Sequence, residues 1–313
     1  MRRLILVLSI LSLLTSAAPA RVQADPPPLP LLTWGTLGFG LNNLDHPFAI
    51  EPGPDGFLYV ADQHNERIVV FTNTGAVVRS WNIPGATDVA DPSGLAITPG
   101  GIVYVSEHHS HRVSKWSDSS TFLGFVALEG SGPGQVLYPT HLALDATGNL
   151  YVADYGNARV DKFDSSGNFL GYLGVGDLTG PYGVDVDASG SVYVGGYLQN
   201  VVLKFSSSGA LVDTWSADLS GVEGIAHDES GNVYVCDTGN HRIKKFSPSG
   251  TLLTTFGSFG NGLGEMYTPS DVGIDQVGDI YSCEWGNARI QRWTVAPVPT
   301  HTTSWGSLKS LYR

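Results

Sequence analysis

The sequence has 313 residues and a formal net charge of −12 at pH 7, with 29 acidic against 17 basic side chains. A chain this acidic repels phosphate backbones at long range, which argues against nucleic acid as a partner. Two cysteines are too few for a fold held together by disulfides, and 39 glycines among short apolar runs favour strands and turns.

The N-terminal segment, residues 1–24, is typical of a secretory signal peptide. Two arginines precede an apolar run that ends at Leu14 and is too short to cross a bilayer, and small residues follow it. Cleavage is expected after Ala20 or Ala24, and Ala24 is preferred because an aspartate and a proline run come next. We expect a secreted, periplasmic or cell-surface protein without a membrane span, in which residues 25–30 form a Pro-rich linker.

A motif with four aligned positions occurs six times between residues 31 and 296, at intervals of about 41 to 47 residues. Its reference position is a tyrosine, with a glycine three residues before it, an aromatic residue twelve after it and, in five copies, a proline twelve before it. The six reference tyrosines are Tyr59, Tyr104, Tyr151, Tyr193, Tyr234 and Tyr281. Each copy reads as four short strands joined by turns. This pattern predicts an all-β fold, a six-bladed β-propeller of four-stranded antiparallel blades.

The ends of the repeat region predict how the ring closes. Residues 33–47 follow the same pattern as residues 254–269, so the N-terminal segment supplies an outer strand that has no blade of its own. We expect this strand to complete the last blade, which leaves no open sheet edge. Residues 302–307 are the alternative source of that strand, and residues 297–313 otherwise form a C-terminal tail.

The copy "GNLYVADYGNARVDKFD", residues 148–164, resembles the NHL repeat, and the six copies resemble an exported six-bladed NHL β-propeller. The resemblance covers residues 31–294 and implies the fold, whereas function depends on sites placed on that fold. Other NHL proteins follow a RING and B-box in ubiquitin ligases or bind RNA. This chain lacks the cysteines for zinc modules and is acidic, so we expect neither role.

Some proteins of the NHL group are peptidyl-hydroxyglycine lyases, in which the zinc histidines directly follow the blade proline. No histidine occupies the matching positions here, so the resemblance does not carry that zinc chemistry over. A looser similarity to six-bladed lactonases implies calcium on carboxylates of the channel. Among the positions that we expect to face the channel, only Glu223 offers a carboxylate.

Two further positions of the repeat carry opposite charges in five blades. An acidic residue lies three residues after the reference tyrosine and an arginine lies eight after it, whereas blade four has Gly196 and Val201. Because both charges are missing from the same blade, we expect structural ion pairs and no catalytic role. The expected pairs are Asp62–Arg67, Glu107–Arg112, Asp154–Arg159, Asp237–Arg242 and Glu284–Arg289.

The two cysteines occupy equivalent positions of neighbouring blades. Cys236 and Cys283 each lie two residues after the reference tyrosine. Equivalent side chains in a ring point the same way around it, so their Cβ atoms do not converge as a disulfide requires. We expect two buried free thiols.

Two variable positions of the repeat predict a ligand site around the mouth of the central channel. They lie eleven residues before and four residues after the reference tyrosine, in loops that share one face of a propeller. Aromatic residues recur there, which suits a sugar, a peptide or an amphipathic molecule, and ordinary surface loops are the alternative. The candidates are Phe48, His108, Thr140, Tyr155, Tyr182, Tyr197, Glu223 and Trp285.

Histidines cluster in the loops between the second and third strands of three blades, at His64, His108, His109, His111 and His241. Their spacing fits no regular set of zinc ligands, so we expect no metal and no cofactor, with zinc or calcium as the alternative. The sequence favours a monomeric binding or sensing module for a protein, peptide or glycan. A lyase or lactonase-like enzyme with a channel metal and a structural cell-surface scaffold are the alternatives.

Overall fold

The computed structural model describes residues 25–84 and 90–295, and these residues form a closed ring of six antiparallel sheets. The expected signal peptide with both cleavage positions, the C-terminal tail and the alternative closing strand at 302–307 lie outside the described residues. No helix in the described part of the chain has the length and apolar character needed to cross a bilayer. The ring confirms the all-β, six-bladed propeller.

The first strand of each blade lies beside the central channel, and the later strands lie progressively further out. The chain begins with β1 (Leu29–Trp34). Blades one and two contain β2 (Pro47–Pro52), β3 (Leu58–Asp62), β4 (Arg67–Phe71), β5 (Val77–Asn82), β6 (Pro92–Ile97), β7 (Ile102–Glu107), β8 (Arg112–Ser117), β9 (Phe122–Glu129) and the short β10 (Gln135–Val136). Blades three and four contain β11 (Pro139–Leu144), β12 (Leu150–Asp154), β13 (Arg159–Phe163), β14 (Phe169–Leu173), β15 (Pro181–Val186), β16 (Val192–Gly196), β17 (Val201–Phe205) and β18 (Leu211–Trp215). Blades five and six contain β19 (Val222–His227), β20 (Val233–Asp237), β21 (Arg242–Phe246), β22 (Leu252–Phe256), β23 (Pro269–Ile274), β24 (Ile280–Glu284) and β25 (Arg289–Thr294).

The N-terminal strand closes the ring, as the sequence predicts. β1 pairs antiparallel with β25, so that Trp34 lies opposite Ile290, and the last blade has the order β1-β25-β24-β23. β1 begins at Leu29, within the segment expected to be a linker. Blade two differs from the others because the two-residue β10 adds to it in parallel with β9. Backbone hydrogen bonds therefore join the two ends of the ring.

The recurring aromatic residue of the third strand fills the space between neighbouring blades. Phe71 of blade one, for example, packs with Tyr281, Cys283 and Ile290 of blade six. All six aromatic residues are buried, namely Phe71, Trp116, Phe163, Phe205, Phe246 and Trp293. Each apolar cluster combines side chains of two adjacent blades, so every blade depends on its neighbours for a buried face.

Both cysteines are buried and free, which confirms the prediction made from their positions in the repeat. Burial is the main cause that raises the pKa of the Cys236 and Cys283 thiols well above the usual range. Protonated thiols are poor nucleophiles and poor metal ligands. The two side chains therefore serve as small apolar groups of the core.

The inner strands approach one another so closely that some of their positions accept only glycine. A Cβ atom on Gly183 would lie far inside van der Waals contact of the backbone oxygen of Glu223 in the next blade. We expect Gly183→Ala to lower the free energy of unfolding by about 2–3 kcal/mol, because overpacking forces the backbone apart. Chemical denaturation measures this. Gly100→Ala is the control, with only Thr98 Oγ1 near the new Cβ, at 3.9 Å. If both variants are equally stable, the inner strands are not closely packed.

Candidate functional site

The five acid–arginine positions form buried ion pairs that anchor the loops of one face of the ring. In blade one, Asp62 accepts a hydrogen bond from Arg67 Nε at 2.7 Å and another from the backbone N–H of Asp45 at 2.7 Å. Arg67 also donates to the backbone oxygens of Gly40 and Asn43 in the loop before β2. The other pairs are Glu107–Arg112 at 2.5 Å, Asp154–Arg159 at 3.2 Å, Asp237–Arg242 at 2.6 Å and Glu284–Arg289 at 3.1 Å. In blades one, three, five and six the carboxylate also accepts a backbone N–H from the loop that enters the blade, whereas in blade two Arg112 Nη2 donates to the backbone oxygen of Pro84 at 2.7 Å.

Blade four replaces the ion pair with an amide. Gln199 Oε1 accepts the backbone N–H of Thr179 at 2.8 Å, and Gln199 Nε2 donates to the backbone oxygen of Asp177 at 2.9 Å. Thr179 occupies the position of Asp45 in blade one, so Gln199 makes the same bond to the entering loop that Asp62 makes there. A neutral side chain therefore performs the anchoring role without a charge pair.

A cavity of about 710 Å³ opens on this loop face, at one end of the channel, and we call it the mouth pocket. Of the candidates, Phe48, His108, Tyr182, Tyr197, Glu223 and Trp285 line it. The side chain of Thr140 is buried, and its Oγ1 donates to the backbone oxygen of Tyr182 at 2.7 Å. Tyr155 packs edge-on against Tyr182 with ring centroids 5.6 Å apart, outside the lining of the pocket.

The pocket also contains residues that the sequence analysis did not select. Asp91 and His109 form a hydrogen bond on its rim. Asp91 lies thirteen residues before the reference tyrosine, a position with positive φ in all six blades and varied side chains in the sequence. That variability is the signal that could have identified it.

Burial sets the charge state of the mouth pocket. It is the main cause that raises the pKa of Glu223 to about 8, and the nearby Asp271 raises it further. It is also the main cause that lowers the pKa of His108 to about 4. At neutral pH the Glu223 carboxyl is largely protonated and the His108 imidazole is neutral. Glu223 and His108 therefore offer uncharged hydrogen-bonding groups beside the aromatic surface, whereas the Asp91 carboxyl lies on the rim.

Side chains from opposite blades fill the middle of the channel. The rings of Phe48 and Tyr182 lie 5.8 Å apart between centroids, and Phe48 also packs against His141 at 5.6 Å. Beneath them, His141 Nε2 of blade three lies 3.5 Å from Asp271 Oδ1 of blade six. This layer separates the mouth pocket from the other end of the channel.

A second cavity, of about 470 Å³, lies at the opposite end of the channel. Its lining includes Glu51, Asp185 and Asp271, so the channel holds carboxylates besides Glu223, outside the two variable positions of the repeat. Burial is the main cause that raises the pKa of Asp271 to about 8 and that of Glu51 well above its usual range. Asp185, 2.6 Å from His227 Nδ1, is the main cause that raises the pKa of that imidazole to about 9.

The additional carboxylates escaped prediction because the inner strands do not alternate regularly. A register shift between Pro269 and Asp271 marks a bulge near the start of β23, and the other inner strands carry bulges at the same place. A bulge sets two residues against one partner, so simple alternation no longer tells which side chain faces the axis.

Within the described residues, one group of three metal-ligating side chains lies close together, formed by Asp45, His46 and His64. It lies beside the mouth pocket, which His64 helps to line. Of the histidines considered in the sequence, His108, His109, His111 and His241 do not take part in such a group.

The NHL repeat model matches residues 90–116, 137–163 and 219–246, which fall in blades two, three and five. No curated protein matches the chain by sequence. Among solved structures, a streptogramin B lyase is 13% identical over 84% of this chain and 98% of its own, with a TM-score of 0.62. A gluconolactonase from Xanthomonas campestris is 16% identical over 88% of this chain and 100% of its own, with a TM-score of 0.64. A virginiamycin B lyase from Staphylococcus aureus, solved with quinupristin, is 14% identical over 83% of this chain and 82% of its own, with a TM-score of 0.60.

At these identities the structural likeness establishes the architecture alone. Three segments match a repeat model, and six blades share the positions of that repeat. The chain is therefore a six-bladed β-propeller that carries NHL repeats.

Proposed function

We propose that the protein is an exported, monomeric binding module whose mouth pocket takes a glycan or a peptide. The observation that carries the proposal is the mouth pocket itself, a cavity of about 710 Å³ whose lining includes four Phe, Tyr or Trp side chains. Those side chains are Phe48, Tyr182, Tyr197 and Trp285. Export is inferred from the signal-like pattern of residues 1–24.

The chemistry of the pocket favours an uncharged ligand with apolar faces. Trp285 and Tyr197 are half-buried, so each offers ring surface on which a sugar ring or a peptide side chain can stack. The protonated Glu223 carboxyl can donate a hydrogen bond to a ligand hydroxyl or carbonyl oxygen. The pocket also has polar side chains such as Gln63, Asn200 and Thr238 beside its aromatic walls, and polar groups in small-ligand sites fix the orientation of the ligand.

Replacing either Trp285 or Tyr197 with alanine is expected to weaken ligand binding about tenfold or more, since each substitution removes stacking surface worth about 1.4 kcal/mol. Purified protein is first screened on glycan and peptide arrays, and the affinity for the bound ligand is then measured by calorimetry. Tyr172→Ala is the matched control, because Tyr172 is a partly exposed aromatic residue on the outer strand β14.

Two results would contradict the binding proposal. The arrays could show no ligand, or the Trp285 and Tyr197 variants could bind as tightly as the Tyr172 variant. Either result would leave the lyase or lactonase-like enzyme and the structural scaffold as the remaining alternatives.

A lyase or lactonase-like activity is the second candidate. The observation that favours it is the pair of shifted pKa values, about 8 for Glu223 and about 4 for His108, on the walls of one pocket. An acid that is protonated and a base that is neutral at the same pH suit proton transfer. The likeness to lyase and gluconolactonase structures shows the fold alone, so this candidate is tested by measuring whether the purified protein turns over a gluconolactone or quinupristin.

A further inference from the structure

Three potential metal ligands converge beside the mouth pocket, on two loops of blade one. Asp45 and His46 lie directly before β2, and His64 lies in the single 3₁₀ turn Gln63–Asn65 after β3. His46 Nδ1 is 2.5 Å and His64 Nδ1 is 3.7 Å from Asp45 Oδ1. One ligand atom from each of the three residues lies within 4.8 Å of the other two. Small movements of the side chains would bring these three atoms within bonding distance of a single ion.

The structure holds the two loops together without any metal. The backbone N–H of His64 donates to the backbone oxygen of Asp45 at 3.1 Å, and the backbone N–H of Asp45 donates to Asp62 Oδ1. Asp62 is itself fixed by Arg67. The loops are thus positioned by the repeated ion pair, which is how outer groups orient ligands in metal sites.

The side chains around the cluster leave its carboxylate available. Asp45 forms no ion pair with a lysine or arginine within the described residues, although both histidines lie next to it. The two imidazole rings lie 4.2 Å apart between centroids, and Trp285 packs against His46 at 4.1 Å. Two imidazoles beside a carboxylate that has no lysine or arginine partner within the described residues form a donor set that a divalent cation satisfies.

Comparison with the other blades shows that the trio is specific to blade one. Blade two has Ala90, Asp91 and His109 at the positions of Asp45, His46 and His64, whereas blade five has Gly221 and Gly239 where blade one has His46 and His64. His46 has a φ of 51°, in the left-handed region, which glycine adopts most readily because it lacks a Cβ atom. The repeat therefore tolerates glycine at both positions, and histidine is not required for the fold.

We propose that Asp45, His46 and His64 bind one zinc ion at the rim of the mouth pocket. Two histidines and one carboxylate are a usual set of three protein ligands for zinc, and they leave a fourth position for water or for a ligand atom. The side chain of His64 is 46% exposed, so the ion has access from solvent. This inference does not rest on the binding function proposed above.

The test uses the tag-free chain and zinc alone, titrated by calorimetry. We expect saturable binding of one ion per chain, and we expect His46→Gly and His64→Gly to weaken it about tenfold or more. Both substitutions copy residues of blade five, so the variants should unfold at the same temperature as the wild type. His109→Ala is the matched control, since His109 is at the equivalent loop position of blade two, and it should bind zinc like the wild type.

Cobalt substitution gives a second readout. Cobalt bound by the trio should produce visible absorption of a four-coordinate site, and the double variant His46→Gly/His64→Gly should lose it. The proposal is overturned if the wild type shows no saturable zinc binding. It is equally overturned if the double variant binds zinc as tightly as the wild type, or if His109→Ala weakens binding as much as His64→Gly does.

Discussion

Replacing Asp62 with alanine is expected to lower the free energy of unfolding by about 3–5 kcal/mol, which urea denaturation measures. The Asp62 carboxylate is fully buried and accepts hydrogen bonds from Arg67 Nε, Asn65 Nδ2 and the backbone N–H of Asp45. Its removal leaves a buried guanidinium without its counter-charge, and it releases the loop that enters blade one.

Blade four provides the control for the Asp62 experiment. The triple variant Asp62→Gly/Asn65→Gln/Arg67→Val copies the residues Gly196, Gln199 and Val201 into blade one. We expect it to regain most of the stability lost in Asp62→Ala, because the glutamine can take over the bond to the entering loop and no unpaired charge remains. A loss below about 1 kcal/mol in Asp62→Ala would place the pair among weak surface ion pairs.

Glu223→Gln is expected to remove a large part of the pH dependence of stability. In the folded protein the pKa of Glu223 is raised to about 8, whereas the ordinary pKa of a glutamate carboxyl is 4.5. The folded state therefore holds a proton that the unfolded state releases. The resulting stability is fully present below about pH 4.5 and is lost as the pH rises through about 8. At 1.36 kcal/mol per pH unit, the loss amounts to about 5 kcal/mol at most.

The measurement is the free energy of unfolding of both proteins at pH 5 and pH 8.5. The wild type should lose more stability than Glu223→Gln over that interval, and the variant should still decline because Asp271 and Glu51 also have raised pKa values. Glu229→Gln, an exposed carboxyl of the same blade, is the control and should follow the wild type. Parallel curves for wild type and Glu223→Gln would show that Glu223 is ionised in the folded protein.

The repeat spacing was sufficient to predict the architecture, because every blade needs the same strands and the same aromatic filler. It also located the loop positions around the mouth, of which Phe48, Tyr182 and Trp285 line the pocket. It could not tell that Thr140, at the same position as Phe48, turns its short side chain to a backbone oxygen. Position in a repeat gives the place of a Cα atom, whereas the direction of a side chain depends on its size and partners.

The channel residues illustrate a second limit. Eight residues before the reference tyrosine, blades two, three and five have alanine and blade six has glycine, whereas Glu51 and Asp185 are acidic. Such departures were visible in the sequence, but the bulge near the start of each inner strand hid which of them face the axis. The trio of Asp45, His46 and His64 was hidden for another reason, since it combines positions from two loops that meet only when β2 pairs with β3 and Asp62 binds the backbone of Asp45.

Pairing of β1 with β25 also has a consequence for how the chain is assembled during synthesis. The hydrogen bond from Thr33 Oγ1 to the backbone oxygen of Ile290 spans 257 positions of the chain. The ribosome synthesises β1 long before β25, so the two strands can pair only after the intervening blades have been synthesised. Such distant pairing is slow to form. Until then, the outer edge of β25 is unpaired and can bind a strand of another chain. Domain exchange between incompletely folded molecules is therefore most expected at the β1–β25 pairing.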